Sequence, residues 1–310
     1  MLLAVGADAA FGDPPDVAHP VAMFGRAMTR LEGQVWADSR SAGVLYCAAG
    51  VAAGAGAGLL AAAAGNLAGF KGRVAAVAAG GFAAIASRSL RDTASGVAAA
   101  LQAGDLPLAR ERVRSLVGRN PDGLDAAEIA RAAVESVAEN TVDAVLAPLL
   151  WGFLAGVPGV LAYRAVNTMD AMVGHRSARY ERFGWASARL DDAANWAPAR
   201  LTAALCAVCC PAKASQILRA VRSQAPAHPS PNAGVAEAAF AAALGIRLGG
   251  VNVYSGRSET RPQLGQGRPA LTGDIQAACA LSRRVVLAAC GALAALGLVA
   301  GLGGSVSWRP

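Results

Sequence analysis

GVLYCAAGVAAGAGAGLLAAAAGNLAGF, residues 43–70, carries no charged side chain. A bilayer core about 30 Å thick is crossed by roughly 20 apolar residues in helical form, so this run is long enough to span. Glycines 50, 54 and 58 recur every fourth residue, the spacing that lets helix backbones approach closely where lipid surrounds them. Their expected role is packing.

Working outward, residues 285–307 form a second uncharged run. A shorter apolar segment, about 74–90, pairs with the first run as a hairpin across a loop holding Lys71 and Arg73. Residues 144–163 are long enough to cross, but Pro148 and the GVPG string at 156–159 remove backbone donors. Broken helices at membrane depth survive where protein or a polar cavity satisfies the freed groups, so a re-entrant segment is expected. Residues 196–212 contain Arg200, whose cost in lipid requires an interfacial position or a polar site.

The whole composition agrees. Of 310 residues 55% are hydrophobic and only 16% charged, with mean hydropathy +0.39, far from the quarter charged in soluble domains. Disorder is excluded, and six cysteines in a chain of this length do not make a disulfide scaffold. The expected fold is all-α, a single polytopic membrane domain over 1–310 with cytoplasmic helical segments. Helices are expected at 106–116 and 124–145, either side of an Asn-Pro-Asp-Gly turn, whereas 255–273, rich in Gly, Pro, Gln and Arg, reads as a mobile loop. Asp8 and Asp13 interrupt the opening apolar stretch and argue against a cleaved leader. Basic residues concentrate in 88–141 and 212–284, which the positive-inside rule assigns to the cytoplasm.

Net charge is +7, and all basic residues but Lys71 and Lys213 are arginine. The guanidinium fork suits phosphate and carboxylate, although a codon bias would produce the same preference. No basic stripe interleaved with aromatics marks a nucleic-acid surface. Cys206, Cys209 and Cys210 sit in an apolar run, where cysteine behaves as a small hydrophobe.

Three polar strings carry chemistry. In ESVAENTVD, 135–143, Glu135, Glu139 and Asp143 fall four apart on one helical face. Such a face is ordinarily solvated, but this one leads directly into the Pro-interrupted apolar run, where unpaired carboxylates are expensive. Oxygen donors of this kind suit Mg²⁺, which takes one or two carboxylates together with substrate phosphates. The second string, 163–200, contains Asn167, Asp170, Arg176, Arg189, Asp191, Asp192, Asn195 and Arg200. Paired acids beside arginines also describe salt-bridged surface; combined with the first string they favour a metal and phosphate site. His175 alone is explained by a structural histidine.

The third string, 228–250, places Ser230 to cap a helix with Pro231 at its first turn. Asn232 and Glu237 lack that explanation, and Glu237 inside an alanine-rich helix requires a partner. Asn252 and Tyr254 follow. Gly249 and Gly250 do not form a P-loop, as GxxxxGK[ST] occurs nowhere. At 12–26, Gly-Asp-Pro-Pro is turn chemistry, with Asp13 and His19 nearby.

Taken in order, GDPP with HPV and FGR, ESVAENTVDAVLAPLLW, YRAVNTMDAMVGHR through RLDDAANWAPARL, and SPNAG through N.Y resemble the CobD/CbiB cobalamin-biosynthesis family over about 12–254. The resemblance implies adenosylcobinamide-phosphate synthase activity at a cell inner membrane, with the active site facing the cytoplasm. Such an enzyme uses ATP and Mg²⁺ to join adenosylcobyric acid to (R)-1-aminopropan-2-ol or its O-phosphate. It implies that Glu139, Asp143, Asp191 and Asp192 hold Mg²⁺, and that Arg189 and Arg200 neutralise phosphate. Asn140, Asn167, Asp170, Asn195 and Asn232 would orient substrate, and Glu135 or Glu237 would accept the amine proton. Asp13, His19, Arg176, Ser230, Asn252 and Tyr254 complete the implied substrate contacts. A homo-oligomer, or a complex with other membrane enzymes of the pathway, is the expected assembly. A Mg-dependent transferase of a phosphorylated lipid and a transporter stand as alternatives; the first lacks a second aspartate-rich motif, and the second needs no acids at span edges.

Overall fold

A computed structural model describes residues 1–13, 19–117, 121–254 and 257–302, with backbone alone at 251–254, 257–260 and 300–302. It is an all-α polytopic membrane architecture with one small sheet. Helices α1 (Leu2–Phe11), α2 (Pro20–Val35), α3 (Arg40–Leu67), α4 (Gly69–Ala84), α5 (Ser87–Gln102) and α6 (Leu106–Val113) make up the first third. After α7 (Ala126–Thr141) and α8 (Ala147–Met169) come α9 (Trp185–Cys209), α10 (Ala214–Ser223) and α11 (Ala233–Leu244). Strands β1 (Ile246–Tyr254), β2 (Arg257–Leu264) and β3 (Arg268–Pro269) precede the last helix, α12 (Thr272–Leu302).

Helix α3 starts where Ser39 Oγ accepts the Ala42 N–H at 3.2 Å, an N-cap that satisfies one orphan donor. Its buried face is Gly43, Tyr46, Cys47, Gly50, Gly54, Gly58 and Gly65, while Leu45, Leu59 and Leu60 point outward. Against that face lies α8. A Cβ at Gly54 would sit 2.8 Å from Leu161 O and from Ala165 Cβ, and one at Gly58 would sit 2.4 Å from Pro158 Cα. Helix α4 is 16 residues long, about 24 Å of rise, which is short of the bilayer core; the apolar stretch expected at 74–90 is divided at Ile85, where the backbone turns extended.

The segment 126–174 is nearly continuous helix, yet it does not run straight. Ala155 and Gly156 leave helical geometry, Gly156 with φ +61°, a conformation glycine adopts without strain. A Cβ on Gly159 would lie 2.5 Å from Trp151 O, eight residues back, atoms that a straight helix holds roughly 10 Å apart. Tyr163 Oη reaches Asp143 O at 3.1 Å across twenty residues of chain. The chain therefore doubles back into a helical hairpin with its tip at Gly156. Each arm contains a π-helical turn, Val142–Leu146 in the first and Asp170–Gly174 in the second.

Helix α9 packs on the hairpin through Trp151, whose Nε1 donates to Ala194 O at 3.1 Å. After Cys209 the chain bends by 111° into Pro211–Ala227. Among the described residues three helical stretches, Arg40–Leu67, Ala126–Gly174 and Thr272–Val299, are long and apolar enough to cross a membrane, and a fourth if the bent pair counts as one. The main apolar core joins residues of α5, α7, α9, α11 and α12, and a second cluster of Met28, Tyr46, Cys47, Met169, Val173 and Phe183 ties α2 and α3 to the second hairpin arm. Of the stretch 255–273, expected as a mobile loop, residues 255–256 lie outside the described residues, and 257–273 instead contribute β2, β3 and the start of α12. β2 pairs antiparallel with β1, with a bulge between Leu248 and Gly250. The loop reading failed because Pro262 and Pro269 suppress strand propensity, yet edge strands tolerate proline.

Candidate functional site

The hairpin sets carboxylates from its two arms opposite each other. Glu139 and Asp143 come from the first arm and Asp170 from the second; Asp191, on α9, closes the third side. The four lie within Coulombic reach of one another. Asp143 and Asp170 each sit in a π-turn, a distortion that re-aims side chains and recurs at functional sites. Gly174 makes room for the second of them, because a Cβ there would fall 1.8 Å from Asp170 Oδ1. Glu139, Asp143 and Asp170 are half-buried, whereas Asp191 is buried.

Amides hold the buried acid in place. Asn167 donates to Asp191 Oδ1 at 3.3 Å and Asn195 to its Oδ2 at 3.0 Å. Tyr163 Oη shares its proton between Asn195 Oδ1 at 2.9 Å and the Asp143 carbonyl, and Arg164 Nη1 donates to Asn167 Oδ1 at 3.0 Å. A second arm of the network starts at Asp192, whose carbonyl accepts from Asn232 Nδ2 at 2.8 Å. Asn232 Oδ1 accepts from Arg200 Nη1 at 2.7 Å, and that guanidinium stacks over Trp196. Arg189 pairs with Asp192 at 3.7 Å from an exposed position. These residues come together from α7, α8, α9 and the start of α11.

Several expected participants serve elsewhere. Glu135 accepts the Gly249 N–H at 2.8 Å and pairs with Arg131, which also donates to Gly249 O; it anchors the strand bulge, where Gly249 has φ +82°. Asn140 turns back to Ser136 O at 3.0 Å. His19 caps α2 by accepting from Val21 N; α11 starts at Ala233 with Asn232 as its N-cap, so Ser230 and Pro231 precede the helix rather than capping and opening it, and Ser230 Oγ accepts from Ala233 N in the turn before it. Glu237 is buried 3.8 Å from His228 Nε2. Arg176 is exposed beyond the second π-turn. Asp13 neighbours Asp8 rather than the four acids. The side chains of Asn252 and Tyr254 lie outside the described residues.

Three site residues escaped the sequence reading. Tyr163 and Arg164 open the second string, but their contacts depend on the hairpin. Arg261 on β2 lies within Coulombic reach of Glu139, an approach that needs the strand. All donors here are oxygen, which suits Mg²⁺. Among the described residues no three His, Cys, Asp or Glu side chains form a ready cluster for a metal ion. An open shell is the arrangement that Mg²⁺ accepts, because it retains waters and takes oxygens from substrate phosphates. A groove of about 620 Å³ runs between α3 and α9, lined by Val44, Val51, Trp185 and Leu190, with Arg189 its one charged residue; none of the four acids lines it.

Comparison with known proteins gives a consistent result. Residues 1–282 match the family described as CobD/Cbib protein. The chain is 47% identical over 281 residues to the Cobalamin biosynthesis protein CobD of Mycobacterium tuberculosis, covering 90% of this chain and 88% of that one. It is 44% identical over 275 residues to the protein of the same name from Geobacter metallireducens, covering 86% and 85%. No solved structure matches. On this coverage and identity, the chain belongs to the CobD/Cbib family.

Proposed function

We propose that this protein acts in cobalamin biosynthesis as a membrane-embedded, ATP-dependent amide ligase, joining adenosylcobyric acid to (R)-1-aminopropan-2-ol or its O-phosphate. The observation that carries the reading is the convergence of Glu139, Asp143, Asp170 and Asp191 from two hairpin arms and α9. Carboxylates collected at such an energetic cost call for a cation to balance them.

A carboxylic acid becomes electrophilic toward an amine once a phosphoryl group is placed on it. The amine nitrogen then attacks the acyl carbon, phosphate leaves with the C–O bonding pair, and the nitrogen loses a proton. Glu139, Asp143, Asp191 and Asp192 would hold Mg²⁺, which supplies neutralisation of phosphate charge. Asn167 and Asn195 fix the orientation of Asp191, so little reorganisation is needed during reaction. Arg200, set by Asn232 and Trp196, and Arg189 at the rim offer guanidinium groups to phosphate. Arg261 adds a third from the β2 side. Glu135 is occupied with Gly249, so Asp170 is the better acceptor for the amine proton.

Purified protein incubated with ATP, adenosylcobyric acid and aminopropanol phosphate tests the reading directly. Formation of the amide with stoichiometric nucleotide hydrolysis is expected. Absence of any ATP-dependent product overturns it and favours lipid transfer or transport.

A further inference from the structure

Along α7, Arg131, Glu135 and Glu139 follow one another at four-residue intervals, so they stack on one face about one helical turn apart. The first two grip β1. Glu135 is 5% exposed and its Oε1 accepts the Gly249 N–H at 2.8 Å, while Arg131 Nη1 donates to Gly249 O and pairs with Glu135 at 3.7 Å. Both backbone polar groups of one strand residue are thereby tied to α7. The bulge itself requires glycine, since Gly249 and Gly250 have φ +82° and +104° and a Cβ on Gly249 would stand 2.1 Å from Pro262 O.

That grip decides where Arg261 points. Gly250 pairs with Arg261 across β1 and β2, and residues opposite each other in an antiparallel pair project from the same face. A Cβ on Gly250 would point at α7, 3.2 Å from Arg131 Nη1, so the half-buried Arg261 is directed at α7 as well. Glu135 neutralises Arg131, which would otherwise repel a second guanidinium. The next carboxylate on that face is Glu139, within Coulombic reach of Arg261. A buried ion pair stabilises a fold little better than apolar packing does, so placement rather than stability is what Glu135 supplies. We propose that Glu135 is a positioning residue: by clamping the β1 bulge to α7 it holds Arg261 against the carboxylate site, where the guanidinium binds a phosphate of the nucleotide. This rests on the ligase reading above.

The test titrates a non-hydrolysable Mg·ATP analogue into full-length wild type, Glu135→Ala, Glu135→Gln, Arg261→Gln and the Glu135→Ala/Arg261→Gln double variant, with hydrogen exchange over residues 246–264 followed in each. Arg261→Gln and Glu135→Ala are each expected to weaken analogue binding at least tenfold. The double variant should match Arg261→Gln within twofold, because both changes remove the same contact. Glu135→Gln keeps an acceptor for the Gly249 N–H and should lose less than threefold. Exchange at residues 248–250 should accelerate in Glu135→Ala and not in Arg261→Gln. In amide formation, Glu135→Ala should raise KM for ATP at least tenfold and leave kcat within threefold. Losses that multiply to about a hundredfold in the double variant, or a Glu135→Gln protein whose kcat falls while analogue affinity is unchanged, overturn the positioning role. Unaltered exchange in Glu135→Ala overturns the clamp and leaves the ligase reading standing. Wild type that does not bind the analogue overturns the ligase reading, and the phosphate role of Arg261 with it.

Discussion

Replacing Tyr163 by Phe removes one oxygen from the centre of the polar network. That oxygen lies 2.9 Å from Asn195 Oδ1 and 3.1 Å from the Asp143 carbonyl, and the residue is buried. Phenylalanine fills the same volume without a proton to share, so two buried acceptors lose their donor. Leaving such a group unsatisfied costs about 1–3 kcal/mol. Asn195 and the π-turn at Asp143 both relax, and with them the two carboxylates they orient. If about half of that energy is expressed at the site, amide formation slows roughly 2- to 12-fold, since 1.4 kcal/mol is a factor of ten. The loss should fall on kcat, because the acids themselves remain. Tyr180→Phe is the control: its hydroxyl donates to Glu32 at 2.9 Å in the separate α2 cluster, so stability falls without a kcat effect. Steady-state amide formation and thermal unfolding in detergent, measured on both variants, decide the matter. A Tyr163→Phe protein with wild-type kcat would refute the orienting role.

Gly54→Ala should lower the melting temperature, because its Cβ would stand 2.8 Å from Leu161 O and Ala165 Cβ, an overpacking cost of about 1–3 kcal/mol; Gly56→Ala, with open space around it, should be neutral or stabilising. Burial holds the Asp8 carboxyl up at about 6, above its unfolded value. Its contribution to stability is therefore full below about pH 4 and lost as pH rises through 6. Asp8→Asn should flatten the melting-temperature profile between pH 4 and 7, and an unaltered slope counts against this. Chelation of divalent cations should abolish amide formation reversibly, with activity restored by added Mg²⁺; turnover that persists in excess chelator contradicts the metal assignment.

The glycine spacing at 50, 54 and 58 disclosed a helix face in the sequence, because four-residue periodicity is a local property. The same holds for Glu139 and Asp143 on one helix and Asp191 beside Asn195 on another. What local periodicity does not carry is apposition. Tyr163 meets Asp143 only because Gly156 takes a positive φ and reverses the chain. The π-turns fall outside a 3.6-residue period, so the aim of Asp143 and Asp170 was not legible. Glu135 belongs to the same acidic face as Glu139, yet its partner is a backbone N–H 114 residues away. Arg261 stayed hidden because a segment rich in Gly, Pro and Gln gives no strand signal.

The most direct test of the convergence is electron paramagnetic resonance of Mn²⁺ substituted for Mg²⁺, titrated into the full-length protein with a non-hydrolysable ATP analogue. Tight Mn²⁺ binding is predicted in the presence of the analogue, weakened at least tenfold by Asp143→Asn on the hairpin and equally by Asp191→Asn on α9. Binding that survives both substitutions would contradict a shared site for these helices.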